Sequence, residues 1–132
     1  MKYLNLCLIA AALVACSSTA PAEPEKTFNL AGSEWGVKDK PDIFIQFQSG
    51  GTVIGHGGCN QFGGTYAQTE TELIFGPMRS TKKACFGDVG QMENAFFKIL
   101  SNTRAADASH LVLILQAEDG TPLMDLQRRD WD

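Results

Sequence analysis

Apolar and polar positions along the chain follow two different periods. Ile43-Phe44-Ile45-Gln46-Phe47 is β-branched and aromatic, and Gln46 with Gln48 gives it partial alternation, so a strand is predicted there. Ser49-Gly50-Gly51 turns the chain, and Thr52 to Gly55 returns as a second strand. Further on, Gly64 to Gln68 and Glu72 to Phe75 read as another hairpin, turned at Thr69-Glu70-Thr71, with Met78 to Lys82 continuing in extended form. Between Asp88 and Leu100 the period changes. Val89, Met92, Phe96, Ile99 and Leu100 recur mostly at spacings of three and four, widened by Phe97, which predicts one amphipathic helix. Asp88 is its candidate N-cap, Lys98 is placed for the C-terminal dipole, and Asn102 and Thr103 end it. His110 to Leu115 is a nearly continuous apolar run, short enough for a strand buried on both sides. A turn at Glu118-Asp119-Gly120-Thr121 and a returning strand from Pro122 to Gln127 complete the pattern. The elements describe a mainly β domain of the α+β kind, whose helix covers one opening or face of a curled sheet. No internal repeat or second domain is visible.

Earlier in the chain, residues 28–37 open the domain, and Asn29 to Trp35 leads into a short strand. Trp35 is read as a core anchor, because a small domain needs large apolar residues. The most distinctive stretch is Gly55 to Gly64, G-H-G-G-C-N-Q-F-G-G, with five glycines and a cysteine. Such crowding marks backbone that takes positive φ or passes close to another segment, so the stretch is read as a tight turn linking two strands.

Composition changes the picture mainly at the N-terminus. The chain has 132 residues, 44% of them apolar, which suffices for one domain with a core of its own. Part of that apolar content lies in residues 1–15, where Lys2 precedes a short apolar run ending Leu13-Val14-Ala15 before Cys16. The run is too short to span a bilayer as a helix and is read as a signal peptide. Its ending is similar to the bacterial lipobox, which implies lipidation and cleavage at Cys16. Ser17 rather than Asp follows, and among Gram-negative lipoproteins that resemblance favours the outer membrane, facing the periplasm. Attached acyl chains, at about 0.8 kcal/mol per buried methylene, would anchor the protein firmly. Residues 16–27 are rich in proline, small residues and charge and are expected to form a flexible tether, leaving 28–132 as the folded domain.

After removal of Lys2 with the leader, 10 basic residues face 15 acidic ones. That balance excludes a nucleic-acid partner, for which a basic stripe is required; Arg79, Lys82, Lys83 and the pair Arg128-Arg129 read as solvated charge. With Cys7 lost in the leader and Cys16 carrying lipid, Cys59 and Cys85 are the pair left in an oxidising compartment and are expected to be joined. Closing that loop of 27 residues stabilises the fold by about 3.5 kcal/mol in the chain-entropy account.

Candidate chemistry has to be weighed against that disulfide. His56 and Cys59 could form a nucleophilic pair, but this needs a free thiolate and a third, orienting group. H-G-G-C brushes against an esterase oxyanion loop, yet no G-x-S-x-G elbow exists to serve it. Cys59, Cys85, His56 and His110 lack the spacing of a zinc site. Phosphate-loop and dinucleotide fingerprints are also missing, since Asn60 stands where a third glycine would be needed. No catalytic set, cofactor or metal is expected.

Several strings together resemble one family. They are Leu30-x-Gly32-x-x-Trp35, Ile45-x-Phe47, Gly57-Gly58-Cys59-Asn60-x-Phe62-x-Gly64-x-Tyr66, and Leu73-x-Phe75-Gly76-Pro77-Met78-x-Ser80-Thr81. Cys85, Glu93-x-x-Phe96-Phe97-x-x-Leu100 and Leu111 to Leu115 follow. The pattern is similar to the META/HslJ domain family of small bacterial envelope proteins, with the G-G-C-N and S-T-x-x-x-C strings the most specific part. Gln61 stands where members commonly carry Arg. The resemblance implies a curled or barrel-like antiparallel sheet with one packed helix, no enzymatic activity, and a link to envelope stress, including heat and hydrophobic antibiotics such as novobiocin. The leading expectation is a non-enzymatic, monomeric lipoprotein that supports outer-membrane integrity through an envelope protein or lipid, with Asn60, Gln61 and Phe62 as its contact surface. One alternative is a barrel whose interior holds a small apolar ligand or lipid. Another is a protease inhibitor presenting the glycine-rich loop.

Overall fold

The computed structural model describes residues 28–130. The leader, Cys16 and the tether lie outside the described residues.

Nine strands and one helix follow in the order β1 (Glu34–Val37), β2 (Lys40–Gln48), β3 (Thr52–Gly57), β4 (Gln61–Gln68), β5 (Leu73–Phe75), β6 (Arg79–Ser80), α1 (Asp88–Asn102), β7 (Ala105–Ala108), β8 (Val112–Gln116) and β9 (Pro122–Arg128). Their hydrogen-bonded order is β5-β4-β3-β2-β1-β9-β8-β7, every pairing antiparallel, with β6 added to β4. Leu73 N–H of β5 donates to the Arg104 carbonyl just before β7, at 3.0 Å, bringing the two ends of the sheet together. The result is the expected curled sheet, nearly closed into a barrel, with one helix. Such closure protects the sheet edges that an open antiparallel sheet would expose.

Alternation along the strands selects the core. Ile43, Ile45 and Phe47 of β2, Val53 of β3, Leu113 and Leu115 of β8 and Leu126 of β9 point inward and are buried, with Trp35 at the β1 end. Trp35 is 2% exposed, and its indole N–H donates to Ser33 Oγ at 2.7 Å, so its polar edge is satisfied inside. The β8 run differs from the expectation of burial on both sides. Only Leu113 and Leu115 are fully enclosed, while Val112 and Ile114 lie on the half-buried outer face. β7 has no counterpart among the expected strands, because Ala105-Ala106-Asp107-Ala108 has none of the branched or aromatic residues that mark one. It pairs with β8 from Ala105 opposite Gln116 to Ala108 opposite Leu113.

The helix packs on β3, β5 and β8, burying Phe96 and Leu100 with Met92, Phe97 and Ile99 partly covered. It stops at Asn102 and Thr103 as expected, but its N-cap and its C-terminal charge differ from the expectation. Gly87, with φ 68°, is the N-cap, and Asp88 is the first helical residue, where its charge faces the dipole instead of capping. No basic residue lies in the last turn. Arg104, beyond the helix, takes that role by donating to the carbonyls of Ser101 at 2.8 Å and Thr103 at 2.7 Å. Val89, expected in the apolar stripe, is 42% exposed, and the buried member of that first stretch is Glu93.

Candidate functional site

Much of the glycine-rich stretch turns out to be strand. Gly55, His56 and Gly57 end β3, Gln61 begins β4, and only Gly58-Cys59-Asn60 make the turn, closed by Gly57 N–H donating to the Asn60 carbonyl at 2.9 Å. Gly58 has φ 106°, which a side chain would strain. Gly57 is required for a different reason: a Cβ there would come within 2.8 Å of the Glu93 carboxylate.

That carboxylate is the centre of the site. Glu93 is 7% exposed, and its Oε2 accepts the backbone N–H groups of Cys59 at 3.0 Å and Asn60 at 2.6 Å. Oε1 accepts from Asn60 Nδ2 at 2.7 Å. Two successive backbone donors and one side-chain donor thus converge on one anion, an arrangement that makes burying the charge tolerable. Burial pushes the Glu93 carboxyl up, but the Asn60 side-chain and backbone bonds, the Cys59 bond and the nearby His56 together hold it below the ordinary glutamate value. His56 Nδ1 lies 2.8 Å from the Asp42 carbonyl and 3.1 Å from Gly58 N, tying the turn back to β2.

Asn60 uses its whole amide. Its Oδ1 accepts from Thr81 Oγ1 and from Lys83 N–H, both at 2.8 Å, while Nδ2 also reaches the Lys83 carbonyl at 3.2 Å. Cys59 is joined to Cys85 by a disulfide with Cα atoms 6.2 Å apart. The turn after β3, the segment from Thr81 to Cys85 and the first half of the helix are therefore locked together by one covalent bond and one buried amide-carboxylate pair. The G-G-C-N, S-T-x-x-x-C and Glu93 strings meet at this point in space.

A contact surface made of Asn60, Gln61 and Phe62 needs three outward side chains, and this geometry provides one. Asn60 is 6% and Phe62 4% exposed; Gln61 alone faces solvent. Phe62 meets Phe97 edge-to-face and Phe96 at a tilt, at 5.3 and 5.9 Å between ring centres, fastening β4 to the helix. Glu93 stands in the family pattern, but the sequence reading gives it no role. A signal is available, since a carboxylate placed between Met92 and Phe96 in an apolar stripe must find buried donors.

The barrel interior is filled by the side chains of Trp35, Ile45, Phe47, Leu113, Leu115 and Leu126, each 2% exposed or less. Two grooves among the described residues open to the surface. One of about 350 Å³ runs between Phe75, Pro77, Met78 and Phe97, and another of about 370 Å³ lies on the outer sheet face at Phe44, Ile54, His56 and Gln61. Among the described residues no three His, Cys, Asp or Glu side chains converge as a metal site.

No curated protein matches the chain. Among solved structures, an NMR structure of a protein from Burkholderia xenovorans superposes with a TM-score of 0.68 at 20% identity, covering 98% of this chain and 99% of that one. A second NMR structure superposes with a TM-score of 0.57 at 17% identity over 76% of this chain and 90% of that one. At these identities the likeness is one of fold. The META domain model matches residues 25–130, which include the Cys59–Cys85 disulfide and the Asn60–Glu93 pair, and the chain belongs to the META domain family.

Proposed function

We propose that this META protein is a non-enzymatic lipoprotein, anchored through Cys16 to the outer membrane of a Gram-negative host and facing the periplasm, where it supports barrier integrity under heat or hydrophobic antibiotic stress. The observation that carries the reading is the leader ending Leu13-Val14-Ala15-Cys16, followed by a short polar stretch and then a META domain. The geometry of the domain supports a scaffold role. Its most reactive side chains are already committed, the Cys59 thiol to a disulfide and the Glu93 carboxylate to three donors. A disulfide of this kind suits an oxidising compartment.

Two measurements test the reading. Labelled palmitate should enter the wild-type protein and not Cys16→Ser, and only the wild type should fractionate with outer membranes. A deletion strain should admit more novobiocin after heat stress, and complementation by Cys16→Ser should fail. Unchanged permeability in the deletion strain would reject the barrier role even if lipidation occurs.

A further inference from the structure

Phe86 is 90% exposed, whereas the other outward large apolar side chains among the described residues, Ile54, Ile74, Val89 and Leu111, range from 39% to 46%. It lies in the segment between β6 and α1, and its neighbours are fixed on both sides. Cys85 is bonded to Cys59, Lys83 is held through both its N–H and its carbonyl by Asn60, and Gly87 is the N-cap of the helix. The ring is therefore presented on a braced stem, and its exposure is built into the fold. Lys82 and Lys83 precede it, and Arg79 in β6 opens the same segment; all three are exposed. Among the described residues none of these cations has an ion-pair partner. Asp88 contributes one opposing charge, while the positive end of the α1 dipole adds to the basic side. The whole chain carries a net charge of −4, so this segment reverses the sign of the molecule around it.

We propose that the segment from Arg79 to Val89 is a membrane-contact element, in which Phe86 enters the interface of a bilayer containing anionic phospholipid while Lys82 and Lys83 meet lipid phosphates. An exposed aromatic beside unpaired lysines fits such a surface on both counts: apolar insertion supplies attraction at short range, and the cations orient an otherwise acidic protein. Val89, at the start of the helix and 42% exposed, extends the apolar contact. This deepens the proposed envelope role by naming the lipid, and its test uses purified protein, so it can fail while acylation and the permeability phenotype stand, or stand while they fail.

The experiment uses the full chain carrying Trp131→Phe with Phe86→Trp, the substitution at 86 being harmless to a side chain that touches little. Residues 1–15 can bind lipid by themselves, so the readout is the surroundings of position 86 and not the bound fraction. On phosphatidylglycerol vesicles the emission of the indole introduced at position 86, after subtraction of the buried Trp35, should shift to shorter wavelength and be quenched by nitroxides carried near the headgroups. Phosphatidylcholine vesicles, or Lys82→Gln with Lys83→Gln, should remove most of the quenching. A matching Ile74→Trp probe on β5 should remain in water. The proposal is overturned by a water-exposed position 86 on phosphatidylglycerol, by equal quenching at 74 and 86, or by quenching that ignores lipid charge.

Discussion

Around Asn60 the chain is held by directional bonds between particular atoms, whereas the C-terminal hairpin of β8 and β9 is held by shape and alternation. In the hairpin, Leu113 sits opposite Leu126 and both are fully buried, and the same site would be satisfied by other apolar side chains of similar volume. In the clamp, the Glu93 carboxylate must accept from Cys59, Asn60 and the Asn60 amide together, and the other atom of that amide must accept from Thr81 and Lys83. Directional bonding restricts identity, while apolar packing restricts only size and period. This is why the most specific strings of the sequence gather at the clamp and the hairpin reads as generic.

The largest effect is expected from Glu93→Ala. It strands two buried backbone N–H groups and frees the Asn60 amide, at a cost of about 4 kcal/mol in urea unfolding. Glu93→Gln keeps the volume but brings an amide N–H group against donors, so it should recover only part of that loss. If Glu93→Ala costs no more than a conservative core change, the clamp is incidental.

Reduction comes next. Cys59 and Cys85 are 26 positions apart, and opening their bond should lower stability by about 3.5 kcal/mol, read as a fall in Tm of the reduced protein or of Cys59→Ala/Cys85→Ala. Because Asn60 and Glu93 pin the same segments without the sulfurs, the reduced protein should still show a cooperative transition. Combining reduction with Glu93→Ala should cost more or less than the sum, since both act on one locked unit.

At the hairpin, Leu126→Met should cost under about 1.5 kcal/mol, although Leu126 is as buried as any residue in the clamp. The contrast between a tolerated same-volume change here and an untolerated one at Glu93 is the sharpest form of the comparison.

The same contrast decides what the sequence made legible. Periodicity was enough for β2, β3, the β4–β5 hairpin and α1, because Ile43 to Phe47 and Met92 to Leu100 carry strong apolar signals. It failed for β7, whose alanines are strand only because β8 supplies a partner. Cysteine counting pointed to Cys59 and Cys85. It could not show that Asn60 and Phe62 turn inward, since both depend on a helix more than 30 positions away in sequence. Glu93 has no legible role within its apolar stripe, because pairing a buried carboxylate with its donors requires knowing which turn faces the helix.

The smallest effect is expected from acid, and it isolates one part of the clamp. Glu93 titrates below its ordinary range in the folded protein, so the unfolded chain takes up its proton first as pH falls. The contribution is fully present above the unfolded glutamate value, about 4.3, and is lost as pH drops below it toward the folded value. Wild type should thus lose stability on that descent relative to Glu93→Gln, the two curves converging at low pH. The pH-linked difference must be smaller than the loss in Glu93→Ala. Burial works against the hydrogen bonds when the carboxyl ionises, so linkage reports only what they contribute beyond that desolvation, whereas deletion also leaves the Cys59 and Asn60 donors without an acceptor. A pH-dependent loss as large as the deletion would mean that the clamp holds by charge alone, and the distinction drawn between directional bonding and packing would have to give way to one of electrostatics.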